Sequence, residues 1–199
     1  MAAESYSPEL RFSSEEYLER ERAAERKSEL FDGQIYAMVG ASKEHTRIVT
    51  RAASLLDTQL RGKTCEPFSQ DMRVKINALG DYFYPDIAVA CNGEWEDEKF
   101  DTLLNPRVII EVLSPSTASY DRDKKFKSYQ NLPSITDYIL VAQDEPRVEH
   151  FARQNDDSQS DSWLLRIAKG LDSQIEIESI GCVLKLAEIF ERVPFGNAA

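Results

Sequence analysis

Read for its alternation of apolar and polar positions, the chain opens polar. Ser13 and Glu16 have the spacing of a capping box, and SSEEYLERERAAERK predicts a mostly hydrophilic helix. FDGQIYAMVG turns at Asp32-Gly33 and continues as a short strand. From the candidate N-cap Ser42, the apolar residues Ile48, Ala52, Leu55, Leu56 and Leu60 share one face of a helix that Gly62 ends, so this helix should lie on a sheet. Strands are predicted over 65–68, over 72–76 with alternating apolar positions, and over 83–90 and 108–113, the last two reading as buried. SPSTASY then makes a turn, DRDKKFKSYQNL a helix stopped at Pro133, and DYILVA another buried strand, the order of a βαβ crossover.

PRVEHFARQ, SWLLRIAKG and SQIEIESIG read as consecutive antiparallel strands, a meander that extends the sheet, with QNDDSQSDS looping between the first two. LKLAEIFERV carries a helical apolar face and should pack back before a frayed PFGNAA end. The expected architecture is α/β (α+β), a central mixed β-sheet flanked by helices with a C-terminal antiparallel meander. It forms one domain over 1–199 without repeat or linker.

Composition narrows the class. At 42% hydrophobic and 30% charged the chain should fold as a globular protein, and its apolar runs are strand-sized, which predicts no membrane span. MAAESYSPEL has neither a basic nor an apolar leader region, so a cytoplasmic location is expected. Cys65, Cys91 and Cys182 are odd in number and widely spaced, which predicts reduced thiols rather than a disulfide framework or a cysteine zinc site. The net charge of −11 opposes nonspecific attraction to a phosphate backbone. Local basic runs at Arg20, Arg22, Arg26 and Lys27, and at Arg122, Lys124, Lys125 and Lys127, leave room for a basic path.

Two carboxylates stand out against this background. Glu111 follows three apolar residues in VIIEVL, and Asp86 heads the apolar run in YFYPDIAVA. A buried carboxylate must be protonated, paired, at a wet strand end or bound to a cation. Two that converge repel each other and persist as anions mainly around a hard cation, for which Mg²⁺ or Mn²⁺ suits an oxygen-rich site. A third, basic member is expected, and Lys125 in the first or second turn of the following helix is the candidate, with Lys124 and Lys127 facing solvent. Plainer roles stand beside these: Asp86 as a strand-entry residue, Glu111 as partner of Arg107 or Arg122, and Lys125 on a solvated helix face. His45 and His150 form no ligand pair, and neither a nucleophile elbow nor a P-loop is present, which sets aside zinc hydrolases, serine hydrolases and NTPases.

Pro85-Asp86, then Glu111 on a later strand, then a lysine resembles the PD-(D/E)xK nuclease superfamily. More narrowly, FDGQIYAM, SKEHTRIV, YFYPDIAVA, VIIEVLSPSTASYDRDKKFKSYQ and LPSITDYILV are similar to the Uma2 family (DUF820), over about 29–143. The superfamily's lysine two residues after the glutamate is absent, Leu113 standing there, and Lys125 matches the family's helix lysine. The resemblance implies a restriction-endonuclease-like core and a Mg²⁺- or Mn²⁺-dependent endonuclease acting on DNA. Asp86, Glu111 and the Val112 carbonyl would hold metal, and Lys125 would assist catalysis. Glu29 and Gln143 would be supporting residues, set against simpler roles as a cap and a strand-end amide. A homodimer is expected by analogy with enzymes that cut two strands; a nuclease-fold module that binds without cleaving is the other reading, favoured by the acidic charge and the displaced lysine.

Overall fold

The computed structural model describes residues 11–195 except Val39, 77–79, Phe100, 115–117 and 155–160. The predicted turn in SPSTASY, the loop in QNDDSQSDS and the frayed end therefore fall partly outside the described residues. Ser13 caps α1 (Ser14–Ala23) through the reciprocal box with Glu16. The helix stops short of Arg26 and Lys27, because Glu21 turns back to accept hydrogen bonds from the backbone and hydroxyl of Ser28. A hairpin follows, β1 (Ser28–Phe31) and β2 (Gln34–Ala37), its turn held by left-handed Asp32 and Gly33. Then comes α2 (Lys43–Leu60), capped by Ser42, with Ile48, Ala52 and Leu56 buried on one face.

Six short strands come next: β3 (Cys65–Ser69), β4 (Arg73–Ile76), β5 (Asp81–Phe83), β6 (Ile87–Cys91), β7 (Thr102–Leu103) and β8 (Pro106–Leu113). A helical stretch over 118–130 contains α3 (Ala118–Tyr120), a π-helical turn (Asp121–Lys125) and α4 (Phe126–Gln130). It leads to β9 (Asp137–Ala142), which pairs parallel with β8 and completes the expected βαβ unit. β10 (Arg147–Gln154), β11 (Ser162–Lys169), β12 (Gln174–Ile177), β13 (Cys182–Lys185) and α5 (Leu186–Ile189) finish the chain.

The strands form a five-stranded sheet, β2-β1-β5-β4-β7, a six-stranded sheet, β11-β10-β9-β8-β6-β3, and the ribbon β12-β13. On one face of the six-stranded sheet, Ile87, Val89, Val108, Ile110, Val112 and Ile139 pack with α2, the ribbon and α5. On the other, Ala88, Ala90, Ile109 and Leu140 pack with Val74, Ile76 and Phe83 of the five-stranded sheet and with Tyr129 of α4. Two-sided burial explains why β8 and β9 read as nearly unbroken apolar runs.

Three expectations about secondary structure are corrected. The run over 83–90 is two strands in two sheets, broken at Tyr84-Pro85-Asp86, where proline brings no N–H to a ladder. The meander ends at β11: the chain reverses at Gly170, and β12 pairs with β13, because Ile175 and Ile177 bury against α2's side of the core. The same inward alternation claims Cys182 and Leu184 for a strand, leaving the expected C-terminal helix only Leu186–Ile189.

Cys65 and Cys91, directly opposite in the β3–β6 pairing, form a disulfide, where reduced thiols were expected; only Cys182 is free. Sequence spacing cannot reveal such a pair, since it is the antiparallel register that brings the two sulfurs together. A disulfide is unusual for a chain expected in the cytoplasm. Closing a loop with a separation of 26 residues should stabilise the fold by about 3 kcal/mol through the unfolded chain's lost entropy. Dithiothreitol should therefore lower the urea midpoint of the wild type and leave a Cys65→Ser, Cys91→Ser variant unmoved; equal midpoints for oxidised and reduced wild type would refute this contribution.

Candidate functional site

Register makes the site. β6 and β8 run antiparallel with Ile87 opposite Ile110, and continuing that register by one residue sets Asp86 beside Glu111. The two clasp across the strands: the Asp86 N–H donates to Glu111 Oε2 at 3.3 Å, and the Val112 N–H donates to Asp86 Oδ2 at 2.7 Å. Along β8, Glu111 is in phase with Ile109 and Leu113, so it points into the seam between the two sheets, where it is 4% exposed.

Lys125 closes that seam from the helical side. Its Nζ lies 2.9 Å from Glu29 Oε1, 3.2 Å from Glu111 Oε1 and 3.9 Å from Asp121 Oδ1, and the residue is 6% exposed. The rings of Phe83 and Tyr120 flank the ammonium at 5.7 and 5.9 Å. The π-turn turns both Asp121 and Lys125 inward while Arg122, Asp123 and Lys124 stay outside. Lys124 and Lys127 face solvent as expected. Glu29 sits within β1, neither a cap nor a loop residue, and its Oε1 also accepts the Tyr84 N–H at 3.0 Å. The lysine thereby ties the five-stranded sheet to the six-stranded one.

Neither suggested arginine partner reaches Glu111. Arg122 pairs with Glu149 at 3.0 Å, and the glutamate receives Lys125 together with the Tyr129 hydroxyl at 3.5 Å. Burial drives the Glu111 pKa well above the usual carboxylate range; Lys125 pulls it down, while Asp121, Asp86 and Glu29 push it up. For Lys125, burial disfavours the ammonium, yet Glu111, Glu29 and Asp121 outweigh it and hold the lysine charged well above its ordinary range.

Three neighbours escaped the sequence reading as parts of this site. His45 Nε2 is 3.1 Å from Asp86 Oδ2. Burial opposes its protonation, but the hydrogen bond and charge of Asp86, aided by the Val112 backbone, leave its pKa raised. The available signal was the Ser42 cap, which fixes the start of α2 and so puts His45 in its first turn. Asp121 and Tyr129 lie one helical turn either side of Lys125, a relation visible once that lysine is taken to point inward. Gln143 follows the end of β9 and its Oε1 accepts the Ser42 hydroxyl at 3.1 Å, so it braces the start of α2 rather than touching the carboxylates.

The suspected basic path is largely consumed internally. Arg22 binds Asp97 and Asp101, Lys27 binds Asp71, and Lys127 binds Asp123. Among the described residues no three His, Cys, Asp or Glu side chains gather as a metal cage, and no helix is long and apolar enough to cross a membrane.

Comparison with known proteins agrees with this architecture. The Uma2 family model, described as "Putative restriction endonuclease", matches residues 14–180. The uncharacterized protein slr1290 of Synechocystis sp. is 36% identical over 190 residues, covering 95% of this chain and 96% of that protein. A second Synechocystis protein, the uncharacterized sll1609, is 37% identical over 162 residues, covering 81% and 89%. A crystal structure of "a putative nuclease belonging to DUF820" from Anabaena variabilis superposes with a TM-score of 0.72 over 90% of this chain and 97% of that one; at 18% identity the likeness is one of fold.

Proposed function

The chain belongs to the Uma2 family, and from that premise we propose that it is a cytoplasmic, divalent-metal-dependent endonuclease that hydrolyses phosphodiester bonds of DNA. The observation that carries the reading is the meeting of Asp86 from the break before β6, Glu111 from β8 and Lys125 from the π-helical turn, at the seam where the sheets adjoin. The donor set fits Mg²⁺ or Mn²⁺. Asp86, Glu111 and the Val112 carbonyl would supply hard oxygen ligands, water and phosphate could fill the remaining positions, and a divalent cation would offset both the burial that chiefly raises the Glu111 pKa and the neighbouring carboxylates that add to it. Bound there, the cation supplies Lewis acidity toward a phosphoryl oxygen and makes water a better nucleophile.

The chain's own groups do the rest. Asp86 is held in place by the Val112 N–H and His45, and Glu111 by the Asp86 N–H, Lys125 and Tyr129, so neither carboxylate has to reorganise when substrate arrives. The Lys125 ammonium, fixed by Glu29, offsets charge growing on the phosphoryl oxygens and orients attacking water. Glu29 thus acts through the lysine, and Gln143 through the Ser42 cap that positions His45.

The test is cleavage of supercoiled and single-stranded DNA in Mg²⁺, Mn²⁺ or EDTA, with Asp86→Asn prepared identically, alongside calorimetric titration of Mn²⁺. We expect metal-dependent cleavage and Mn²⁺ heat in the wild type, and loss of both in Asp86→Asn. Cleavage that survives the substitution would refute the role given to Asp86. The internal pairing of the basic side chains favours one rival, a module of this fold that does not cleave; absence of both Mn²⁺ binding and cleavage in the wild type would select it.

A further inference from the structure

The six-stranded sheet treats its two edges differently. β3 at one edge is short and carries Glu66 and Pro67, features that discourage pairing. β11 at the other has eight residues, no proline, and no strand along its outer side among the described residues. It also gathers exposed apolar surface. Leu164, Leu165, Ile167 and nearby Leu171 are four of the six large hydrophobic side chains left exposed among the described residues, at 41–47%. A long apolar edge of this kind is a template for another strand.

The sequence of β11 indicates which strand. Read together with Asp161, the residue just before it, β11 complements itself when two copies run antiparallel about Leu165. Asp161 then meets Lys169, Trp163 meets Ile167, and Leu165 meets its own mate, all on the face that carries Phe151. On the other face Leu164 meets Arg166, and Ser162 meets Ala168. Each half of the interface supplies an opposite-charge pair and an aromatic–β-branched pair, the combinations that stabilise neighbouring strands. Moving the axis by one residue, onto Arg166, would set two guanidiniums opposite each other and break the charge match. Asp161 is half exposed and already forms an ion pair with Arg153, 3.1 Å away, so the partner's lysine would join an existing pair without uncovering a buried group.

We infer that β11 is the dimerisation strand: a second copy of this chain adds its own β11 antiparallel about Leu165, joining the two six-stranded sheets into one. The inference is independent of the nuclease reading. β9 and β10 separate β11 from β8, so the interface can be broken without touching Asp86, Glu111 or Lys125.

Light scattering on the eluting full-length protein at micromolar concentration is the first measurement, and twice the monomer mass is expected. Leu165→Lys places two ammoniums on the axis and should convert the protein to monomer with an unchanged circular dichroism spectrum. Lys169→Glu should weaken the dimer by roughly tenfold or more, since glutamate would face aspartate twice. Adding Asp161→Lys to Lys169→Glu should restore it. A monomeric wild type, or a dimer indifferent to Lys169→Glu, would overturn the proposal. If Leu165→Lys fails to fold, the charge reversal and its rescue decide the matter alone, and rescue would exclude an edge covered by another segment of the same chain.

Discussion

Lys125→Met is expected to lower the stability of the fold by about 3–5 kcal/mol at neutral pH, because it leaves Glu29 and Glu111 buried without their cation. The methionine fills nearly the same space, so lost packing is a minor part of the effect. The sign of the pH dependence separates charge from shape. In the folded state the Glu111 pKa already lies above its unfolded value near 4.5, and without the ammonium it must rise further. A carboxyl that binds its proton more tightly when folded makes stability fall as pH rises from the unfolded pKa through the folded one. Lys125 itself, with its pKa raised, gives its contribution in full below the unfolded lysine value and loses it only as pH climbs through the folded one, so it stays constant across this window. Urea unfolding should therefore show a smaller deficit at pH 5 than at pH 8. An equal deficit at both would mean that Lys125 acts by packing alone.

Glu111→Gln should behave oppositely: DNA cleavage falls by at least about 10²–10³-fold while stability at pH 8 changes by no more than about 1 kcal/mol. The amide removes a negative charge that Asp121, Asp86 and Glu29 all oppose, and Glu29 remains to hold Lys125. It should also flatten the fall in stability between pH 5 and pH 8, since its source is gone. Paired urea melts and cleavage rates measure both effects on one preparation. If the variant were as unstable as Lys125→Met, Glu111 would be a structural partner of the lysine, and its loss of cleavage would be explained by unfolding.

The strands and helices that bury a continuous face were legible in the sequence, and Asp86, Glu111, Lys125 and Glu29 stood out there as individual candidates. Ser13, Ser42 and Gly62 mark helix ends by local chemistry, and VIIEVL and DYILVA are apolar because β8 and β9 are covered on both sides. What local reading missed depends on pairing at a distance. Pro85 was read as a strand residue although it divides two sheets, and Cys65 meets Cys91 only through the β3–β6 register. His45 offered no spacing to another ligand; it reaches Asp86 because α2 lies over β6 and β8. Glu29 was seen as an acidic position, but that it fastens Lys125 requires knowing that β1 belongs to one sheet and the lysine's helix packs against the other.

That same fastening should order events during synthesis. The β1–β2 hairpin and α1 leave the ribosome well before the 118–130 helix, and until it arrives Glu29 has no ammonium to bury against. Closing the two sheets over an uncompensated glutamate is unfavourable, so the N-terminal hairpin is expected to keep Glu29 hydrated until that helix emerges. Lys125 would thus act as a latch on the nascent chain. The seam should become favourable to close only once the residue that completes it has been translated.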